Sequence, residues 1–300
     1  MNCVRGAKCY DCTGLPATRH TIDIHGTNNG RGHEVVLDRV IRNFNESLGI
    51  YARTSAARYA CGVILAIAGD MRRAESEFRE AIETGPDNGM AHHSLGMLYV
   101  NTRQYDDAAY QFKQALKSMP LSLPAYRELG RVHDARGRYD EAVEVYRRAL
   151  ANVAHAPGAY LLYQSLGNSY YKGRRYDDAI DAFRAALAAR PQDPYLHVNL
   201  GAACMAAGRL SEAGEEFERA LEMSPDLLSA LRNLGTLYLK MERYGDAVTV
   251  LERAVSLCPT HGTTYRKLAI AYERTGEARR AEECMAKGLE YEAGGDGDRR

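Results

Sequence analysis

From Ser94 to Pro120 the chain reads SLGMLYVNTRQYDDAAYQFKQALKSMP. Its apolar residues fall at i, i+3, i+4 and i+7, the stripe of an amphipathic helix. The stripe breaks at the polar turn NTRQY and then resumes, so the segment predicts two helices joined by a turn. The same skeleton returns from Leu166 to Pro191 as LGNSYYKGRRYDDAIDAFRAALAARP. Along the chain, the small residue that follows a Leu or Cys is Gly62, Gly96, Gly130, Gly167, Gly201, Gly235 and Ala269, at spacings of 34, 34, 37, 34, 34 and 34. Twelve residues later stands an alanine: Ala74, Ala108, Ala142, Ala179, Ala213, Ala247, Ala281. Four further comes a large residue: Phe78, Phe112, Tyr146, Phe183, Phe217, Leu251, Met285. Three beyond that the residue is small again, from Ala81 to Gly288. Proline closes most units, from Pro86 to Pro259.

Seven units in phase predict a repeat architecture. Each unit becomes two antiparallel helices, A and B, with small residues where they touch, because a larger side chain there would force the axes apart. The large residue on helix B is expected to fill the space between one hairpin and the next. Proline, without an amide hydrogen, ends helix B. One hairpin cannot bury both of its faces, so stability comes from stacking neighbours. The units run 55–88, 89–122, 123–159, 160–193, 194–227, 228–261 and 262–295. The third carries three extra residues, in ANVAHAPGAY, expected to lengthen helix B or the loop after it and to bend the superhelix between a three-repeat and a four-repeat block.

The skeleton L-G-x-x-Y, A-x-x-x-F, A, P over 34 residues resembles the tetratricopeptide repeat, across about four-fifths of the chain. The tryptophan usual on helix A is replaced by Arg58, His92, Tyr126, Tyr163, His197, Leu231 and Tyr265. The resemblance implies an all-α, right-handed superhelical solenoid of antiparallel helix hairpins with helix A lining its inner face. His92 is expected to pack rather than to ligate.

Upstream of the repeats, EVVLDRVIRNFNESLGIY places Leu37, Ile41, Phe44, Leu48 and Tyr51 on one helical face. It predicts a helix over 33–54 that caps the first repeat. Residues 1–32 lack periodicity and read as a disordered leader, and 296–300 as a mobile tail.

Composition narrows the function. Lys+Arg and Asp+Glu balance at 39 each, so no global charge favours nucleic acid or an anionic membrane. No apolar run reaches the roughly 18 residues that span a bilayer. No secretory signal opens the chain, and a cytoplasmic, reducing location is expected. Of seven cysteines, Cys61, Cys204, Cys258 and Cys284 are scattered, as reduced core residues would be. Cys3, Cys9 and Cys12, with His20 or His25, are weak metal candidates, since a structural zinc needs four ligands and only one C-x-x-C is present. No nucleotide-binding, metalloprotease or nucleophile-elbow motif occurs. Acidic pairs such as Asp106-Asp107 and Asp177-Asp178 open helix B, where they favour the helix dipole. No cofactor and no catalysis are expected.

The resemblance makes the free residues of helix A a groove. In the first two repeats it is apolar, with Tyr59, Val63, Met90 and Met97. Toward the C-terminus it becomes amide-bearing and basic, with Asn168, Lys172, Asn199, Arg232, Asn233, Lys240, Arg266 and Lys267. Asn199 and Asn233, just before their L-G pairs, resemble the asparagine ladder of O-linked N-acetylglucosamine transferases, although no transferase domain follows. The family's carboxylate clamp for chaperone tails is matched incompletely, because Gln164 and Ser229 stand where it needs lysine. The expected function is a non-catalytic scaffold that binds an extended or helical, partly acidic segment of another protein. The alternatives are self-assembly into a homo-oligomer through the N-terminal helix and the apolar repeats, and a metal- or redox-responsive regulator using the N-terminal cysteines.

Overall fold

The structure, a computed structural model, describes residues 30–49, 53–154 and 156–295. Cys3, Cys9, Cys12, His20 and His25, Tyr51 and the tail 296–300 lie outside them. The described residues are all-α, with fifteen helices and no strand. They divide into two compact units, with the boundary between Arg174 and Arg175. That boundary lies inside the fourth repeat.

The first unit holds α1 (Gly30–Leu48) and then α2 (Ser55–Ile67), α3 (Met71–Thr84), α4 (Gly89–Asn101), α5 (Tyr105–Ser118), α6 (Leu123–Ala135), α7 (Tyr139–Val153) and α8 (Tyr160–Lys172). The second holds α9 (Tyr176–Ala189), α10 (Pro194–Ala206), α11 (Leu210–Met223), α12 (Leu228–Lys240), α13 (Tyr244–Leu257), α14 (Gly262–Thr275) and α15 (Ala278–Gly295). Within each unit a helix A packs on its own helix B, and that helix B packs on the helix A that follows.

The large residue of helix B sits elsewhere than its spacing suggested. It closes its own hairpin. A Cβ built on Gly62 would lie 2.5 Å from the Phe78 ring, one on Gly96 2.8 Å from Phe112, and one on Gly201 2.7 Å from Phe217. Leu251 meets Gly235 in the same way at 2.5 Å. The ring therefore occupies the volume that a side chain on helix A would need, which is why the two positions recur together. In the seventh unit the small residue is Ala269, which has a Cβ, and its counterpart Met285 lies 36% exposed. The unbranched side chain swings out where a ring could not.

A second pairing matches helix A to helix B nineteen residues on. Arg58 meets Glu77 at 3.2 Å, His92 Nδ1 meets Gln111 at 2.6 Å, and His197 Nδ1 meets Glu216 at 2.6 Å. The other nitrogen of each histidine lies 3.1 Å from a prolyl carbonyl, Pro86 and Pro191 respectively. Both histidines are buried packing residues. Where helix A carries Tyr126 or Leu231, the matching positions are the apolar Val145 and Val250.

All seven turns between A and B place one residue in the left-handed region: Gly69, Arg103, Gly137, Arg174, Gly208, Glu242 and Gly276. The reversal lets the next amide reach back to the helix, as Asp70 N does to Leu65 O at 2.9 Å and Gln104 N to Tyr99 O at 2.8 Å. The three extra residues of the third repeat are shared out. Helix α7 has 15 residues against 14 in α3 and α5, and the loop to α8 absorbs the rest.

The N-terminal helix runs Gly30–Leu48, earlier than expected, and Gly49 at φ 54° stops it. Thr54, placed inside that helix by the sequence, instead caps α2 by accepting from Ala57 N. Ile41 is buried, Leu37 and Phe44 are half-buried, and Asp38 pairs with Arg73 of α3 at 2.6 Å. Of the scattered cysteines only Cys61 and Cys204 are buried. Cys258 and Cys284, also expected in the core, are half-buried, because one ends helix α13 and the other lies on the terminal helix α15.

Candidate functional site

In the second unit α10, α12 and α14 are successive A helices that pack side by side. Their stripes of Leu, Ala and Tyr turn toward the B helices, which leaves Asn199, Arg232, Asn233 and Lys267 on the remaining face. Between α12 and α14 this face opens into a pocket of about 250 Å³. Helix α12 lines it with Ser229, Arg232 and Asn233, and α14 with Thr263, Thr264 and Lys267, together with His261, which caps that helix. The lining includes an arginine and a lysine and no carboxylate.

The cations carry a cost. Lys267 is half-buried and donates to Thr236 Oγ1 at 2.7 Å. Its ammonium is held below the usual lysine range, first by burial and then by the Arg232 charge. His261 Nδ1 lies 2.7 Å from Thr264 Oγ1 and accepts from Thr264 N. Its ring is held below the usual histidine range by burial, then by Arg232 and Lys267. The hydroxyl of Ser229 is buried with no hydrogen-bond partner. The amides of Asn199 and Asn233, half-buried, keep donor and acceptor free among the described residues.

Other residues expected in this groove lie apart from the pocket. Arg266 is exposed and pairs with Glu292 of α15 at 3.3 Å. Lys240 ends α12, exposed, about 10 Å along the axis from Asn233 at 1.5 Å per residue. Asn168 and Lys172 belong to the first unit, on α8, half-buried and exposed. His261, Thr263 and Thr264 do not stand out in the helical stripe. A signal existed, since the position of His261 is held in other units by Thr54, Asn88, Ser122 and Asp193, all side-chain caps.

The first unit differs. Tyr59 packs its ring at a tilt against Phe78 with centroids 5.8 Å apart, and His93 does so against Phe112 at 5.5 Å. Val63 and Met97 are half-buried, and Met90 is 50% exposed. Further along, three departures from the repeat pattern form one network. Asp134 accepts from Ser169 Oγ at 2.7 Å and lies 3.5 Å from Tyr146 OH, which also reaches Arg127 O. Burial holds the Asp134 carboxyl above the usual carboxylate range, although Ser169 and Lys172 oppose this. A pocket of about 350 Å³ on the other side of α6 has Leu116, Tyr126, Leu129 and Val145 as its floor, with Arg148 stacked on Tyr126. Among the described residues no cluster of His, Cys, Asp or Glu could hold a metal, and no helix is long and apolar enough to cross a membrane.

The profile of the tetratricopeptide repeat matches residues 93–157 and 165–227, and a second profile of the same repeat matches 226–291. A sequence comparison with curated proteins finds no match. Among solved structures, the type IV pilus biogenesis factor PilW is 22% identical at a TM-score of 0.59, over 68% of this chain and 94% of that one. YrrB, described as a TPR protein with an unusual peptide-binding site, is 23% identical at 0.50, over 62% and 95%. The Cut9 and Hcn1 hetero-tetramer matches at 18% and 0.57, over 85% of this chain and 50% of that one. At such identities the likeness is one of fold.

Proposed function

The chain belongs to the tetratricopeptide-repeat family, and from that premise we propose that it is a non-catalytic scaffold whose α12–α14 face grips an acidic segment of a partner protein. The repeat is in general an interaction module rather than an enzyme. The observation that carries the proposal is the ammonium of Lys267, half-buried in a pocket whose lining holds no carboxylate and kept below the usual lysine range by burial and by the Arg232 charge. An ammonium partly withdrawn from water costs stability. A ligand that brings negative charge removes that cost and gains charge-assisted hydrogen bonds. Asn199 and Asn233 add groups that can donate to and accept from an extended backbone without reading its side chains. The peptide-binding site named for YrrB is in keeping with this use of the fold.

Selection of random-sequence peptides on the full-length protein tests the proposal. The retained peptides are expected to be rich in Asp and Glu, and the enrichment to vanish on Lys267→Met. Retained peptides without acidic bias, or a bias that survives the substitution, would remove the pocket from the function.

A further inference from the structure

The pocket of about 350 Å³ over α6 belongs to the first unit, and the proposed function makes no use of it. We infer that it is a second docking surface, a trough between α5 and α7 that takes one large apolar side chain of a partner polypeptide with carboxylates beside it. The inference stands apart from the acidic-segment proposal, which concerns the second unit.

The floor of the trough is apolar. Tyr126 and Leu129, an i and i+3 pair on one face of α6, lie at the bottom, with Leu116 of α5 and Val145 of α7 at the sides. Tyr126 holds the helix A position that His92 and His197 hold in other repeats, where the partner nineteen residues on is the polar Gln111 or Glu216. Here that partner is Val145, which leaves an apolar contact where those repeats place a polar one. The rim is cationic. Lys113 and Lys117 stand on α5 and Arg148 on α7, against one carboxylate, Glu144. All four are exposed, so the trough has walls and no roof. The lysine stems can lie along an inserted side chain while their ammonium groups stay in water.

A missing bridge keeps the trough open. Lys113 follows Phe112 as Arg184 follows Phe183, and Arg184 of α9 reaches Glu212 of α11 at 2.9 Å. The carboxylate matching Glu212 is Glu141, which precedes Ala142 as Glu212 precedes Ala213. Glu141 turns elsewhere, 3.1 Å from His133 Nδ1 and 3.6 Å from Arg138. Among the described residues Lys113 and Lys117 make no ion pair.

Charge and shape choose the occupant. Three cations against one carboxylate favour an anionic segment. Small-molecule sites commonly enclose most of their ligand, which a roofless trough does not. A polypeptide can sink one side chain and rest its neighbours on the rim. With Phe112 level with Tyr146 in the repeat, Glu144 is level with Tyr110, about 10 Å along the helix from Lys117 at 1.5 Å per residue. The partner's carboxylates therefore belong toward Lys117.

The test uses the full-length protein and three acetylated peptide amides, Glu-Glu-Phe-Glu-Glu, Glu-Glu-Ala-Glu-Glu and Lys-Lys-Phe-Lys-Lys, with phenylacetate as a small anion. Binding is read at the methyl NMR signals of Leu129 and Val145, which report on the trough and not on Lys267. The first peptide is expected to shift both signals to saturation, with a Kd at least tenfold below that of every other probe. Lys113→Glu combined with Lys117→Glu, both on the surface, is expected to weaken it at least tenfold while the folded spectrum persists. Glu144→Gln should strengthen it severalfold, and Lys267→Met should leave it unchanged. Equal binding of the alanine peptide would overturn the apolar anchor, and equal binding of the lysine peptide would overturn the acidic one. Phenylacetate binding as tightly as the first peptide would overturn the inference in favour of a small anion. Signals that move on dilution without any probe would assign the trough to a second copy of the chain instead. If no probe moves the signals the inference fails, and the random-peptide selection still decides the acidic-segment proposal separately.

Discussion

At the scale of the residue, the fold depends on what glycine lacks. Phe112 is fully buried against Gly96, at a distance where a Cβ would overlap the ring. Gly96→Ala is expected to destabilise the protein by about 1–3 kcal/mol, the usual cost of overpacking a tight core, as read by chemical denaturation. Ala269 is the internal control, since a Cβ is tolerated where Met285 replaces the ring. Asp134 gives a second residue-level expectation. Its folded value lies above its unfolded one, so the folded state binds the proton more tightly, and stability from this group falls as pH rises through and above the ordinary carboxylate range. Melting curves of Asp134→Asn and wild type should therefore diverge in that window, with the wild type losing relative stability toward neutral pH. Parallel curves would mean that the Ser169 hydrogen bonds offset the burial.

At the scale of the element, the hairpin turn carries the clearest leverage. Glu242 and Arg103 adopt the left-handed conformation that four of the seven turns give to glycine. An L-residue there costs about 1–2 kcal/mol, part of which returns because glycine is freer when unfolded. Glu242→Gly is expected to stabilise by about 0.5–1 kcal/mol, measured by thermal melting, whereas Gly208→Glu should destabilise. The elements were largely legible beforehand, because a 34-residue period with helical stripes leaves few alternatives. The packing partner of Phe78 was not legible. Periodicity says which face of a helix is buried, but not whether its own hairpin or the next one covers it. Thr54 was placed in the wrong helix for a related reason: the stripe from Leu37 continues to Tyr51, and the stop at Gly49 is a matter of backbone conformation.

At the scale of the whole molecule, a chain with balanced charge keeps a pocket lined by an arginine and a lysine and by no carboxylate. Arg232, Asn233 and Lys267 were legible as helix A residues outside the packing stripe. The half-burial of Lys267 was not, because it depends on α12 lying alongside and on Thr236 accepting a hydrogen bond from its ammonium. Nor was His261, whose position belongs to the cap and not to the helical stripe. A base with its folded value below its unfolded one destabilises the protein at neutral pH, and the cost is relieved only as pH rises through the folded value. Lys267→Met should then melt no lower than wild type, since functional sites commonly give up about 0.5–2 kcal/mol that such substitutions recover. The most direct measurement is a calorimetric titration of one selected acidic peptide into wild type and Lys267→Met, with the melting temperature of each recorded on the same samples. A loss of at least tenfold in affinity, with the melting temperature unchanged or raised, is the predicted result. Equal affinity for the two proteins would contradict the assignment of the pocket as the place where the partner is held.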